Sequence, residues 1–301
     1  MILPRLGRRA AGRQIAAALA TAALGLLTGR PAAAQPAPVD ESLILGVTID
    51  LQRTGLLDVL IPAFEQATGR TVTVVAVSAP HALALGVRAE LDVLLVNAGD
   101  DEAPFMAAGH AISRQLVMHA DEVIVGPRSD PAGLRQSTGL EDGLRRLAQS
   151  GSTWISRADN SALYQDEKRL WRDAGVETAG QPWYVAFGQG MLPTLAAATE
   201  RQAYTLVDRQ TFLERHSTLD LNIQLQGAPD LLRLYHVIVA NPAKGAWIDD
   251  TGARTFADFV LSAEAQAVIG SYGEQRLGQA VFVPDAGRTE QELRPDRRAA
   301  G

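Results

Sequence analysis

Apolar runs of strand length alternate along this chain with segments of helical periodicity, and few folds accommodate that order. Residues 43–49 (Leu-Ile-Leu-Gly-Val-Thr-Ile) form a short apolar, β-branched run that reads as a buried strand. Leu56, Leu57, Leu60, Ile61 and Phe64 then recur at helical spacing; Pro62 is a source of kinking, and Thr68-Gly69-Arg70 stops the helix. The pattern predicts strands at 71–77 and 91–96, a helix over 81–88 between them, and a strand at 123–125 closed by Gly126-Pro127. After Pro131 it begins again, with helices over 140–149 and 162–174 around a strand at 153–156. Strands at 204–206, 221–225 and 237–240 follow, then helices over 255–261 and 263–269. Such alternation implies an α/β fold whose sheets are mixed, mostly parallel and flanked by helices. Residues 40–127 plus 236–286 are expected to form one lobe, with 128–235 inserted as a second. The two crossover connections, near Gly126-Pro127 and Tyr235-His236, would permit closure around a ligand. The tail 287–301 is charged, contains Pro295, and is expected to be disordered.

The first 34 residues stand apart from this pattern. Arg5, Arg8, Arg9 and Arg13 precede an uncharged run from Ile15 to Leu27, and Ala32-Ala33-Ala34 offers a small-residue cleavage site. That order is a secretory signal peptide, and the apolar run of 13 residues is too short to span a bilayer. Arg8-Arg9 offers a twin-arginine pair in a context that suits that export route poorly. The chain has no cysteine, which excludes disulfides, thiolate metal sites, a cysteine nucleophile and a lipid-modified cysteine. Export to a periplasm as a soluble protein, without stable membrane insertion, is the expectation. Removing residues 1–34 takes away five arginines and no acid, so the formal charge of −6 becomes −11 over 267 residues. So acidic a surface argues against nucleic acid or anionic lipid as a partner.

In open α/β sheets, ligands bind at the carboxyl ends of strands, where loops lead into helix N-termini. Two loops occupy that position: residues 48–57, beginning Thr48-Ile49-Asp50, and residues 156–161, Ser-Arg-Ala-Asp-Asn-Ser. Hydroxyls and free N–H groups at a helix start suit an anion, because the dipole and the orphan donors point the same way. Arg157 is expected to add the only full positive charge of the site. Helix capping by Thr54 and Ser161 accounts for the hydroxyls equally well without a ligand.

At these residues the chain resembles a known family. Residues 55–65 (Gly-Leu-Leu-Asp-Val-Leu-Ile-Pro-Ala-Phe-Glu) look like the first helix of the periplasmic tungstate-binding proteins, and residues 92–96 like the family's next strand. The match continues in order through 123–127, Asp130 to Gly133, Ser156-Arg157 with Asp159-Asn160-Ser161, Gly188 to Met191, and Ala203 to Leu206 with Asp208-Arg209. It covers residues 43–286. The resemblance implies a two-lobed periplasmic binding protein of type II, a monomer without cofactor, catalytic residue or structural metal. Such a protein captures tungstate, sometimes molybdate, and delivers it to the membrane permease of an ABC importer. In the family, Thr and Ser hydroxyls, backbone N–H groups and an arginine hold the oxyanion; Thr48, Arg157 and Ser161 match that pattern.

The departures fall in the site. Thr48-Ile49-Asp50 stands where the family has Thr-Thr-Ser, and Ser161-Ala162-Leu163-Tyr164 where it has Ser-Gly-Thr-His. Ser78-Ala79-Pro80-His81 replaces a Gly-rich stretch. Asp50 and Ser78 therefore join Thr48, Arg157 and Ser161 as candidate ligand-binding residues. An ionised carboxylate within ~4 Å of a dianion costs several kcal/mol at protein-like dielectric. Leu163 donates no hydrogen bond, and Pro80 has no N–H. Either the specificity has shifted to another small anion or organic solute, or Asp50 turns aside into a salt bridge with Arg53 or Arg157. Three changes in one place are hard to absorb by rotation, which favours a shifted specificity.

Other polar groups have plainer readings. The five histidines show no metal-type spacing, and Asp100-Asp101-Glu102 reads as a solvated helix start. Trp154, Trp171 and Trp183 are expected to pack the second lobe. Ser161, His81 and Asp50 would imitate a hydrolase triad, but the chain has no G-x-S-x-G elbow, so a binding protein rather than a secreted hydrolase is expected.

Overall fold

The computed structural model describes residues 42–159 and 161–295; the signal-peptide segment lies outside them. The buried run expected at 43–49 is β1 (Leu43–Thr48), and its last residue leads into a short helix, α1 (Ile49–Thr54), where a loop is expected. Asp50 in the first turn favours that helix electrostatically, and Gly55 ends it in the left-handed region at φ 81°. Thr54 closes α1, its hydroxyl donating to the Leu51 carbonyl and accepting from the Leu56 N–H. Then come α2 (Leu57–Thr68), which continues through Pro62, β2 (Val72–Val77), α3 (Ala79–Val87), β3 (Val93–Val96) and α4 (Glu102–Ala107). β1 pairs in parallel with both β2 and β3, so each returning connection crosses over through a helix.

β4 (Ala111–Pro127) is far longer than the expected strand at 123–125. Beyond it lie α5 (Leu140–Ser150), β5 (Trp154–Ser156), α6 (Ala162–Asp173), β6 (Tyr184–Ala186), α7 (Met191–Glu200), β7 (Thr205–Asp208), α8 (Arg209–Arg215) and β8 (Leu221–Leu225). The chain returns through β9 (Leu232–Ala240), and α9 (Asp250–Val260), α10 (Ala263–Ser271), α11 (Glu274–Leu277), β10 (Val283–Pro284) and α12 (Glu290–Leu293) complete it. β4 divides its partners: Ala111 to Asp121 pairs with antiparallel β9, while Glu122 to Pro127 pairs with β7 and β8. β9 also joins β3 antiparallel, so the large sheet is mixed. The parallel parts are β2-β1-β3 and the β5–β6 pair.

Two apolar cores hang on this frame. One contains Leu45, Phe64, Val93, Tyr235 and Phe256, with Phe64 edge-on to Phe256 at 5.2 Å. The other is built around Trp154, Trp171 and Trp183, with the first two in a T-shaped contact at 5.0 Å. The chain leaves the first core at Met118 and enters the second at Val123, returning between Leu231 and Tyr235. Gly126 lies inside β4, opposite Asn222, and the Tyr204 ring explains the missing side chain. A Cβ on Gly126 would meet that ring at 2.3 Å. The ring cannot retreat, since its hydroxyl donates to Asp130 Oδ1 at 2.8 Å and accepts from the Ala132 N–H at 3.0 Å. Gly126→Ala is expected to destabilise the fold by about 1–3 kcal/mol, read as a lower urea midpoint; an unchanged midpoint would show that the contact relaxes freely.

The tail is ordered where described. Thr289 and Glu292 form a capping box at the start of α12, and Leu293 is buried against Leu116 and Leu234. Among the described residues, no helix is long and apolar enough to cross a membrane.

Candidate functional site

The carboxyl end of β1 and the loop after β5 face a common cleft between the two cores. The cleft holds a cavity of about 380 Å³, lined from one side by Asp50, Arg233 and Tyr235 and from the other by Arg157, Ser161 and Met191. Larger openings of about 730 and 830 Å³ lie elsewhere, and neither is reached by the two loops. In the former, Arg114 and His236 are already matched by Glu102 and Glu290.

The 156–161 loop is organised by Asp159. Its carboxylate accepts from Arg157 Nε at 2.5 Å and from the Ser161 hydroxyl at 2.5 Å and N–H at 3.0 Å. Burial works against that charge, but the Ser161 and Arg157 hydrogen bonds hold the Asp159 carboxyl below the usual range. Ser161 also caps α6, accepting from the Tyr164 N–H at 3.3 Å. Gly190 precedes α7 without a side-chain cap, and Met191 and Leu192 of its first turn line the cavity. The positive ends of two helices therefore flank the guanidinium of Arg157.

On the opposite wall Asp50 is half-exposed and pairs with neither Arg53 nor Arg157. Its partner is Arg233 of β9, whose Nη2 lies 3.4 Å from Oδ2. The Asn97 amide is assigned, from its hydrogen-bonding partners, with its oxygen toward the same guanidinium, accepting from Nη2 at 2.6 Å and Nε at 3.1 Å, while its nitrogen donates to the Thr48 hydroxyl at 3.1 Å. The reverse orientation would set nitrogen against nitrogen. Thr48 is buried behind the cavity wall. At the cavity floor Arg209 grips Asp121 bidentately at 2.6 and 2.5 Å. The phenol of Tyr235 is pushed up to about 12, chiefly by burial.

The structure thus brings Asp50, Arg157 and Ser161 to one cavity, sets Thr48 directly behind it, and leaves Ser78 outside the lining. Ser78 stands before α3, its hydroxyl 2.9 Å from His81 Nδ1. Pro80 occupies the first turn of α3, where a missing N–H leaves no hydrogen bond unmade. Leu163 touches the cavity and packs into the tryptophan core. The hydrolase grouping does not form: Ser161 is bonded to Asp159, His81 to Ser78, and Asp50 to Arg233. Arg233, Arg209 and Met191 line the cavity and Asn97 backs Arg233; Met191 and Arg209 fall in segments of the family match without being read as site residues, and Arg233 and Asn97 carry no sequence signal.

Two α/β cores joined by two long strands, with donor-rich loops facing the cleft between them, define a two-lobed solute-binding protein. The PBP superfamily domain matches residues 31–264. The chain is 38% identical over 249 residues to the tungstate-binding protein TupA of Peptoclostridium acidaminophilum, covering 82% of this chain and 87% of that protein. It is 37% identical over 251 residues to a putative ABC transporter anion-binding protein of Haloferax volcanii, covering 82% and 72% respectively. The solved structure of the tungstate-binding protein TupA from Desulfovibrio alaskensis G20 matches with a TM-score of 0.76 at 34% identity, over 81% of this chain and 99% of that one. The chain belongs to this tungstate-binding family of the PBP superfamily.

Proposed function

We infer that this protein is the periplasmic solute-binding component of an ABC importer, and that its cleft captures a tetrahedral oxyanion of the tungstate class. The observation that carries this reading is the meeting of Arg157, Ser161 and the uncapped start of α7 at one cavity. The guanidinium N–H groups not given to Asp159 and the orphan N–H groups of the helix start make a donor set for an anion, and the Ser161 hydroxyl joins them once it turns from Asp159, on a chain of this family. Export by residues 1–34 and delivery to a membrane permease belong to the same reading. The cores are lobes that close about β4 and β9 at the points where those strands pass between them. Their role is capture and release, with no reaction assigned to the site. Calorimetric or thermal-shift titration of the mature protein with tungstate, molybdate, sulfate and phosphate tests it. Tungstate at micromolar concentration is expected to raise the melting temperature by mass action on the folded state. Silence with all four oxyanions would move the search to organic solutes, for which Asp50 offers a carboxylate to a cationic or hydroxylated group.

A further inference from the structure

Five arginines line the cavity; Arg53 and Arg215 are exposed, and of the remaining Arg157, Arg209 and Arg233 the last is the most deeply buried, with a side chain 11% exposed. In its assigned orientation, the Asn97 amide oxygen accepts from both Nη2 and Nε. The charge compensation of Arg233 is loose by comparison. Arg157 has Asp159 at 2.5 Å and Arg209 has Asp121 at 2.5 Å, whereas Arg233 has Asp50 at 3.4 Å and Glu122 at 3.9 Å. Glu122 acts on the guanidinium ahead of Asp50, but its own charged form is opposed. Burial first, and then the nearby Asp166 carboxyl, raise its pKa well above the ordinary range, against the pull of Arg233 and Arg169. Neither of its oxygens receives a hydrogen bond among the described residues, so no hydrogen bond holds the charged form against burial.

A buried guanidinium persists only where its charge is balanced. Asp50 does this from the first turn of a short helix, half in solvent, at the long end of hydrogen-bond range. We propose that Arg233 is a second anion-binding cation of this cavity, and that the Asp50 carboxylate is the resident counter-ion that a small dianion displaces. The proposal rests on the oxyanion reading and narrows it to a ligand that meets Arg157 from one lobe and Arg233 from the other. It accounts for an acid in an anion pocket: Asp50 balances Arg233 while the cleft is empty, and the ligand takes over that task.

Titration of wild type, Asp50→Asn, Arg233→Gln and the double variant with tungstate, molybdate, sulfate and phosphate separates the possibilities. Asp50→Asn is expected to tighten dianion binding about tenfold and Arg233→Gln to weaken it by about tenfold or more, with the Asp50→Asn gain absent from the double variant. Wild-type binding that Asp50→Asn leaves unchanged or weakens, or a gain that persists without Arg233, overturns the proposal and leaves the oxyanion reading intact. Binding that first emerges in Asp50→Asn supports the proposal and removes the wild-type protein from the oxyanion carriers. Failure of both proteins to bind any of the four anions overturns the proposal too. Should Arg233→Gln not fold, Arg233→Lys serves, since it keeps a charge but lacks the fork that Asn97 receives.

Discussion

Arg157→Ala is expected to weaken tungstate binding by about a hundredfold or more, with little change in the melting temperature of the empty protein. Two effects add. The first is the loss of a charge-assisted donor at the cavity. The second is the exposure of Asp159, which the Ser161 hydroxyl and N–H still hold ionised and which then faces the ligand with no cation beside it. Fold stability is largely spared, because the Arg157–Asp159 pair is partly solvated and spans two residues of one loop. Arg157→Ala combined with Asp159→Asn is therefore expected to recover part of the affinity. Calorimetry on the three proteins checks both statements. Wild-type affinity in Arg157→Ala would take this arginine out of contact with the ligand and leave Arg233 and the start of α7 as the anion's partners.

Glu102→Ala is expected to destabilise the fold by about 3–5 kcal/mol, the range for breaking a buried ion pair from one side. Glu102 reads in the sequence as part of a solvated acidic helix start, but its side chain is fully buried. It accepts from Arg114 Nε at 2.7 Å and from the Ala98 N–H at 2.7 Å, and its carboxylate lies 2.9 Å from His236 Nδ1. His236 Nε2 sits 3.1 Å from Glu290, off the direction of a hydrogen bond, so that contact is charge attraction. Burial lowers the pKa of His236, but Glu102 and Glu290 more than reverse this and raise it above 6.5. Glu290 is drawn down to about 2, first by His236 and then by Arg114 against partial burial. A raised histidine contributes stability that is complete below pH 6.5 and is lost as pH rises through its folded value. A depressed carboxylate contributes stability present above pH 4.5 and lost as pH falls through about 2. The network is thus strongest between pH 4.5 and 6.5. Urea unfolding at about pH 5.5 and about pH 8.5 is expected to show a steeper loss in wild type than in Glu102→Ala. Parallel losses, or a destabilisation below about 1 kcal/mol, would mean that water replaces the carboxylate.

The order of strands and helices was legible because burial imposes a period of two or 3.6 on each element. β1 and β8 lie where the apolar pattern puts them, and α6 follows its amphipathic stripe. The loop centred on Asp159 was legible for a related reason, since its partners are Arg157 and Ser161, two residues away on either side. Residues 111–122 of β4 were not. Arg114, Gln115, His119 and Asp121 interrupt any apolar run there, and strand geometry is imposed by pairing with β9 on one edge and β10 near His119 on the other. α7 opens with Met-Leu-Pro-Thr-Leu, a short apolar run whose period is ambiguous until Gly190 is placed at its cap and Pro193 in its first turn.

The charges in the cleft mark where pattern reading ends. From the sequence, Asp50 had Arg53 and Arg157 as nearby or motif-linked candidates, yet its partner is Arg233, 183 positions along the chain. Glu122 and Glu102 are as polar in composition as any surface acid, but one is buried beside Asp166 and Arg233 and the other beneath Arg114 and His236. Local periodicity, helix caps and short loops depend on residues within a few positions of one another, so the linear order of side chains suffices to specify them. Which carboxylate meets which guanidinium, and how far each is removed from water, depends on the antiparallel return of β9 against β4. That pairing brings distant residues together at a low dielectric, where a few ångströms set whether a charge persists.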